Sequence, residues 1–204
     1  MNRKFTFLIS FLVVSLARFF PLSYIIGSFG SFFSASTIAS ALVGKYSSVW
    51  SLGLFFIAYK KTNFLMFLLN RSPLLFSAWD YKAPNLLVSV IIPLVSILLF
   101  IAHPLGFYAW PYAMYWFLPI LIFLSKKESI FLKSLSSVFV AHAVGSIIFL
   151  HTHEMSPDSW IALMPVVAFE RMIMAISLAG IDLLIQRVFQ ALSTHKKVLV
   201  KESI

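Results

Sequence analysis

The chain contains no cysteine, which excludes disulfides, thiolate metal sites and cysteine nucleophiles. Charge is the second scarcity. Asp, Glu, Lys and Arg make up 11% of the 204 residues, against roughly 25% in a soluble domain, and no polar stretch is long enough to form a separate water-soluble unit. Acidic residues are the rarest of these, seven against sixteen basic ones. Several catalytic signatures are missing as well: the G-x-x-x-x-G-K-[ST] phosphate loop, the G-x-S-x-G nucleophile elbow and the H-E-x-x-H metal helix. The sequence therefore carries no sign of nucleotide hydrolysis, serine-hydrolase chemistry or a zinc-helix site, and no cofactor is expected.

What the chain has is apolar length. Sixty per cent of it is apolar, in several runs near the ~20 residues that cross a bilayer. The expectation is an all-α, polytopic membrane helix bundle of about six transmembrane helices, at 5–26, 32–59, 86–103, 107–125, 130–150 and 161–188. An uncleaved first span accounts for "MNRKFTFLISFLVVSLARFF" better than a secretory leader. The net charge of +9 is not a nucleic-acid signal here, because the basic residues flank apolar runs and so orient the chain in a lipid bilayer. Arg3 and Lys4, then Lys60, Lys61 and Arg71, then Lys126 and Lys127, then Arg187, Lys196, Lys197 and Lys201 mark the cytoplasmic side. This places the protein in the cell membrane, multi-pass, with both termini cytoplasmic.

The domain reading is one integral membrane unit, 1–190, with a cytoplasmic interfacial segment at 62–85 and a basic cytoplasmic tail at 191–204. The interfacial segment has two apolar patches, each too short to span, and its helix is expected at 64–69. The second span is the odd one: Lys45 lies in its interior, and the alternative is two short helices with Lys45 at a turn between them.

Polar residues inside apolar runs are the candidate functional groups, since ionisable side chains at membrane depth are costly. His142 lies near the middle of the fifth span, on a helix whose Ser137, Ala141 and Gly145 repeat small residues every four positions and invite close approach of another helix. Glu170 and Arg171 sit at mid-depth in the last span, diverge by about 100° and therefore each need their own partner or a shared polar cavity. Arg18 in the first span is the expected ion-pair partner of Glu170, and Arg171 shares a small, polar stripe with Ala168, Ala175 and Asp182. The aromatic run "HPLGFYAWPYAMYWF" goes deeper than an interfacial belt requires. Tyr112 and Trp116, one turn apart in it, share one layer with His142 and Arg171, and these four form the expected substrate-binding set for a small solute. By contrast, His151, His153 and Glu154 read as interfacial groups at a helix end. H-x-H holds its imidazoles about 200° apart on a helix, so a shared metal is the lesser alternative.

The layout resembles the substrate-binding S subunit of an energy-coupling factor transporter: six short hydrophobic segments, both ends cytoplasmic, polar residues gathered toward the outer halves. Locally the resemblance is carried by "GSFGSFFSASTIASALVGKYSSVWSLGLFF", which is similar to the small-residue loop, short helix and turn of such subunits. It implies capture of a vitamin-like micronutrient from outside, no catalysis by this chain, and partnership with a transmembrane coupling subunit and ATPase subunits. The A-x-x-x-A face that such subunits present on their first span is missing from "FLISFLVVSLARFF", and the spacing occurs instead at Ala35 and Ala39. The rival readings are an intramembrane enzyme using Glu170 and His142 as an acid–base pair, and a structural membrane protein whose charges only fix helix packing.

Overall fold

The computed structural model describes residues 35–47 and 64–202, with side chains described for 35–47 and 71–191. The Arg18 expectation, the first span and most of the second lie outside the described residues. Every described element is helical. Helix α1 is Ser36–Tyr46 and α2 is Phe64–Lys82. A π-helical turn, Leu86–Ile91, leads into α3, Ile92–Ala102. The next stretch is broken into α4, Pro104–Tyr108, α5, Trp110–Ala113, and a 3-10 turn, Met114–Trp116, before α6, Phe117–Ser125. Two long helices close the chain, α7, Ile130–Thr152, and α8, Pro157–Glu202.

Of these, α7 and the Pro157–Ala191 part of α8 are long and apolar enough to cross a membrane, while Leu86–Ala102 and Trp110–Ser125 are shorter apolar helices. Polarity is distributed the wrong way round for water. Ser77, Asp80, Ser89, Ser137, His142, Arg171 and Asp182 are buried, whereas Leu98, Leu121, Leu124, Phe169, Ile176 and Leu184 are exposed. A hydrocarbon solvent favours that arrangement, since polar groups must then be satisfied inside the bundle.

Capping and proline chemistry set the breaks. Asn85 accepts from the Leu87 and Val88 amides and opens the π turn. Ser129 caps α7 through the Leu132 amide, and Lys126 ends α6 in the left-handed region at φ 53°. Between α3 and α6, Pro104 and Pro111 each start a new short helix, where a missing N–H costs nothing. Gly106 has no substitute there: a Cβ would lie 1.9 Å from the Phe100 carbonyl oxygen. This close return folds the aromatic run back onto α3.

Two expectations change at this level. In the 62–85 segment, the helix expected at 64–69 runs on to Lys82 as the 19-residue α2, antiparallel to α7. Pro73 faces Gly145, while Ser77 meets Ser137. The small-residue face of α7 receives it, as the spacing of Ser137 and Gly145 predicts. Asp80 is buried, and Arg71 is half-buried. The long second span, in turn, contains the short α1, which ends at Tyr46 with Lys45 in its last turn. The basic tail has no break before it, since α8 continues as helix to Glu202.

Candidate functional site

The four residues expected to line a solute site come together. Tyr112, Trp116, His142 and Arg171 are all fully buried. Tyr112 and Trp116 meet at 6.2 Å between ring centroids, Tyr112 and His142 at 5.5 Å, and Trp116 and His142 at 6.3 Å. Arg171, reaching in from α8, interacts electrostatically with both Tyr112 and His142. Helices α5, α7 and α8 and the 3-10 turn thus each contribute one member to the cluster.

The sequence reading missed the other half of that cluster. Phe100 on α3 stacks on Tyr112 at 5.8 Å and meets Trp116 edge-on at 5.3 Å and Trp160 at 5.2 Å. Trp160, in the first turn of α8, lies 4.8 Å from Tyr112 and 5.8 Å from Phe149. Edge-to-face geometry of this kind is the preferred arrangement of aromatic pairs. Trp160 was available in the sequence as the last residue of "HTHEMSPDSW", but it reads as a loop residue until α8 is seen to start at Pro157.

The indole N–H groups of Trp116 and Trp160 are buried and have no hydrogen-bond partner among the described residues. His142 Nδ1 is 3.4 Å from the Ser146 hydroxyl, which also interacts with Tyr112. Tyr115, at the rim, donates to the Met164 carbonyl at 3.0 Å and ties the 3-10 turn to α8.

Glu170 and Arg171 also meet each other. Adjacent residues on a helix point about 100° apart, yet Arg171 Nη2 folds back to within 3.3 Å of Glu170 Oε2. The length of the arginine side chain closes the angle. His142 is ringed by Tyr112, Trp116 and Phe139.

The exposed histidines separate. His151 Nδ1 is 2.9 Å from the Ile147 carbonyl and its ring meets His103, whereas His153 stacks on Phe149 at 4.1 Å. Among the described residues, no group of three or more His, Cys, Asp or Glu side chains is placed to hold a metal.

A second polar cluster lies at the opposite end of the bundle. Asp182, fully buried on α8, accepts from Lys45 Nζ at 2.5 Å, from the Tyr81 hydroxyl at 2.5 Å and from the Tyr46 hydroxyl. The burial of Asp182 on the Arg171 stripe was readable from helical spacing; its partners, more than 100 residues away, were not.

Comparison of the chain with protein-family models, with curated proteins and with solved structures gives no match.

Proposed function

We propose that the chain is a multi-pass membrane protein whose aromatic layer captures a small solute from the outer side, as the substrate-binding subunit of a transporter energised by other chains. The observation that supports this most is the pair of buried indole N–H groups, Trp116 and Trp160, without an acceptor among the described residues. A buried donor left unpaired costs about 1–3 kcal/mol. Two of them in one ring cluster, beside a buried arginine, favour a solute that brings acceptors, such as a carboxylate carried on a flat or apolar body. The rings supply stacking surface and the donors fix orientation, the combination expected of a small-molecule site.

Sidedness follows from charge. Lys126 and Lys127 join α6 to α7 and mark the cytoplasmic face, so the 153–156 turn faces out. Trp160, the fourth residue of α8, lies about 5 Å in from that turn, and Arg171 about 21 Å in, at 1.5 Å per residue. Trp160 and Phe149 then cover the layer from outside, and entry requires the first turn of α8 to part from the end of α7. Energy coupling through separate ATPase and transmembrane subunits is what the S-subunit resemblance implies. Because Ala39 is buried inside the bundle, such a subunit would dock on a face other than the Ala35–Ala39 spacing.

The test is untargeted mass spectrometry of small molecules released from the purified protein, followed by affinity measurements with the one found. Trp116→Ala should weaken binding at least tenfold, about 1.4 kcal/mol, and Lys127→Ala should leave it unchanged. A protein that carries no small molecule from native extracts, or a Trp116→Ala variant that binds as wild type, removes the pocket. Chemical conversion of the bound molecule by the purified chain alone would replace capture by catalysis.

A further inference from the structure

Away from the aromatic layer, Asp80 is a buried carboxyl group with no basic partner among the described residues. Its side chain sits on α2 at the contact with α7 and the π turn and is fully buried. Ser89 donates to Oδ1 at 2.5 Å, and the Ser136 hydroxyl also interacts with the carboxylate. Oδ2 has no hydrogen-bond partner among the described residues. The ion pairs of the described residues, Lys45 with Asp182 and Arg171 with Glu170, do not include Asp80. Lys82, the basic residue nearest in sequence, is exposed and reaches the Ser47 carbonyl at 3.4 Å. Among the described residues, the groups that hydrogen-bond the carboxylate are the neutral hydroxyls of Ser89 and Ser136.

The backbone opposite Asp80 is irregular for a reason that can be traced. Ser89 lies inside the Leu86–Ile91 π turn, where the Ile92 amide bonds to Leu87, five residues back. Pro93 follows and has no N–H to give the Ser89 carbonyl, its partner in an α-helix. Single π turns of this sort recur at functional sites. In membrane proteins, unwound backbone at depth is found where it is shielded by protein or lines a cavity, and there its carbonyls coordinate Na⁺ or H⁺. Ser77 and Ser137 extend the hydroxyl lining one turn further, with Ser137 donating to the Ser77 carbonyl at 2.9 Å.

We infer that Asp80, Ser89 and Ser136, with carbonyls of the π turn, form a binding site for a monovalent cation, Na⁺. The all-oxygen donor set suits a hard cation. The single carboxylate sets the charge at one: Na⁺ neutralises it, whereas a divalent ion would leave a net positive charge buried among serines. A serine hydroxyl has one donor and two acceptor lone pairs, so Ser89 can keep its hydrogen bond to Oδ1 and still offer oxygen to the ion. The site is separate from the aromatic layer and stands whether or not that layer binds a solute.

The probe is NaCl against choline chloride and KCl at constant ionic strength and pH 8, read as the unfolding temperature of the purified full chain in detergent. Na⁺ should raise it with a saturable midpoint, and K⁺ at the same concentration should not. Asp80→Asn should abolish the response, Ser136→Ala should move the midpoint at least tenfold higher, and the exposed Asp158→Asn should leave it in place. If Asp80→Asn does not fold, the Ser136→Ala midpoint decides. A wild type indifferent to Na⁺ overturns the inference and makes Asp80 a protonated acid. An Asp80→Asn protein, or failing that a Ser136→Ala protein, that responds as wild type does overturns it equally.

Discussion

Asp182 illustrates how a single side chain is held at depth. Three donors converge on its carboxylate, from Lys45, Tyr46 and Tyr81, so its charge is both paired and hydrogen-bonded, the condition under which a buried carboxylate is tolerated. Removing one member of such a group leaves the others stranded. Asp182→Ala should cost about 3 kcal/mol or more, and Lys45→Met less, because the lysine side chain is 31% exposed and partly screened. The double substitution should recover about 1–3 kcal/mol of the summed losses. Additive losses in a double-mutant cycle, measured by unfolding in detergent, would show that the two residues are not coupled. Helical spacing alone places Asp182 on the buried Arg171 stripe, but a partner on another helix is a tertiary fact that no local pattern encodes. Trp116 and Tyr112 were legible for the opposite reason: their spacing of four residues puts them on one face of whatever helix carries them.

Helix approach distances are decided by single missing atoms. At Gly44, where α1 crosses α2, a built Cβ would lie 2.8 Å from the Ala78 Cβ and 2.9 Å from the Ala78 carbonyl oxygen. Those atoms belong to a backbone and its first carbon and cannot swing aside, so Gly44→Ala forces the helices apart. Gly180 on α8 has nothing within 4 Å of such a Cβ. Gly44→Ala should therefore destabilise the protein by about 1–3 kcal/mol, the range for overpacking, whereas Gly180→Ala should be neutral or stabilising by up to about 1 kcal/mol. Equal melting temperatures for the two variants would mean that α1 and α2 do not pack as described. The small-residue face of α7 was readable in advance because Ser137, Ala141 and Gly145 recur at helical spacing. The identity of the helix it receives was not, because α2 carries Arg71 and Asp80 and so fails every composition test for a span. Burial of Asp80 against Ser89, and of Ser77 against Ser137, is what lets so polar a helix lie inside an apolar bundle.

That placement of α2 changes the path of the whole chain. On the sequence reading, both ends of the 62–85 segment lie on the cytoplasmic face. The packing argues otherwise. Pro73 is level with Gly145, and Tyr81 with Asp182 near the Ser129 end of α7. Counting back from Pro73, Phe64 lies about 14 Å nearer the Thr152 end, while Gly145 is only about 11 Å from Thr152 at 1.5 Å per residue. If α7 crosses the bilayer, α2 crosses it too, with Phe64 on the side of Thr152 and Lys82 on the side of Ser129. Arg71 then lies within a crossing and not in a cytoplasmic loop. The chain's freedom from cysteine makes this directly measurable. Single cysteines at Phe64, Asn85, Ser129 and Ser156, labelled in intact cells with an impermeant maleimide, should react at Phe64 and Ser156, and at Asn85 and Ser129 only after permeabilisation. Phe64 and Asn85 labelling from the same side would return the segment to the interface. Labelling from opposite sides but with inside and outside exchanged would keep the crossing and invert the orientation on which solute capture from outside depends.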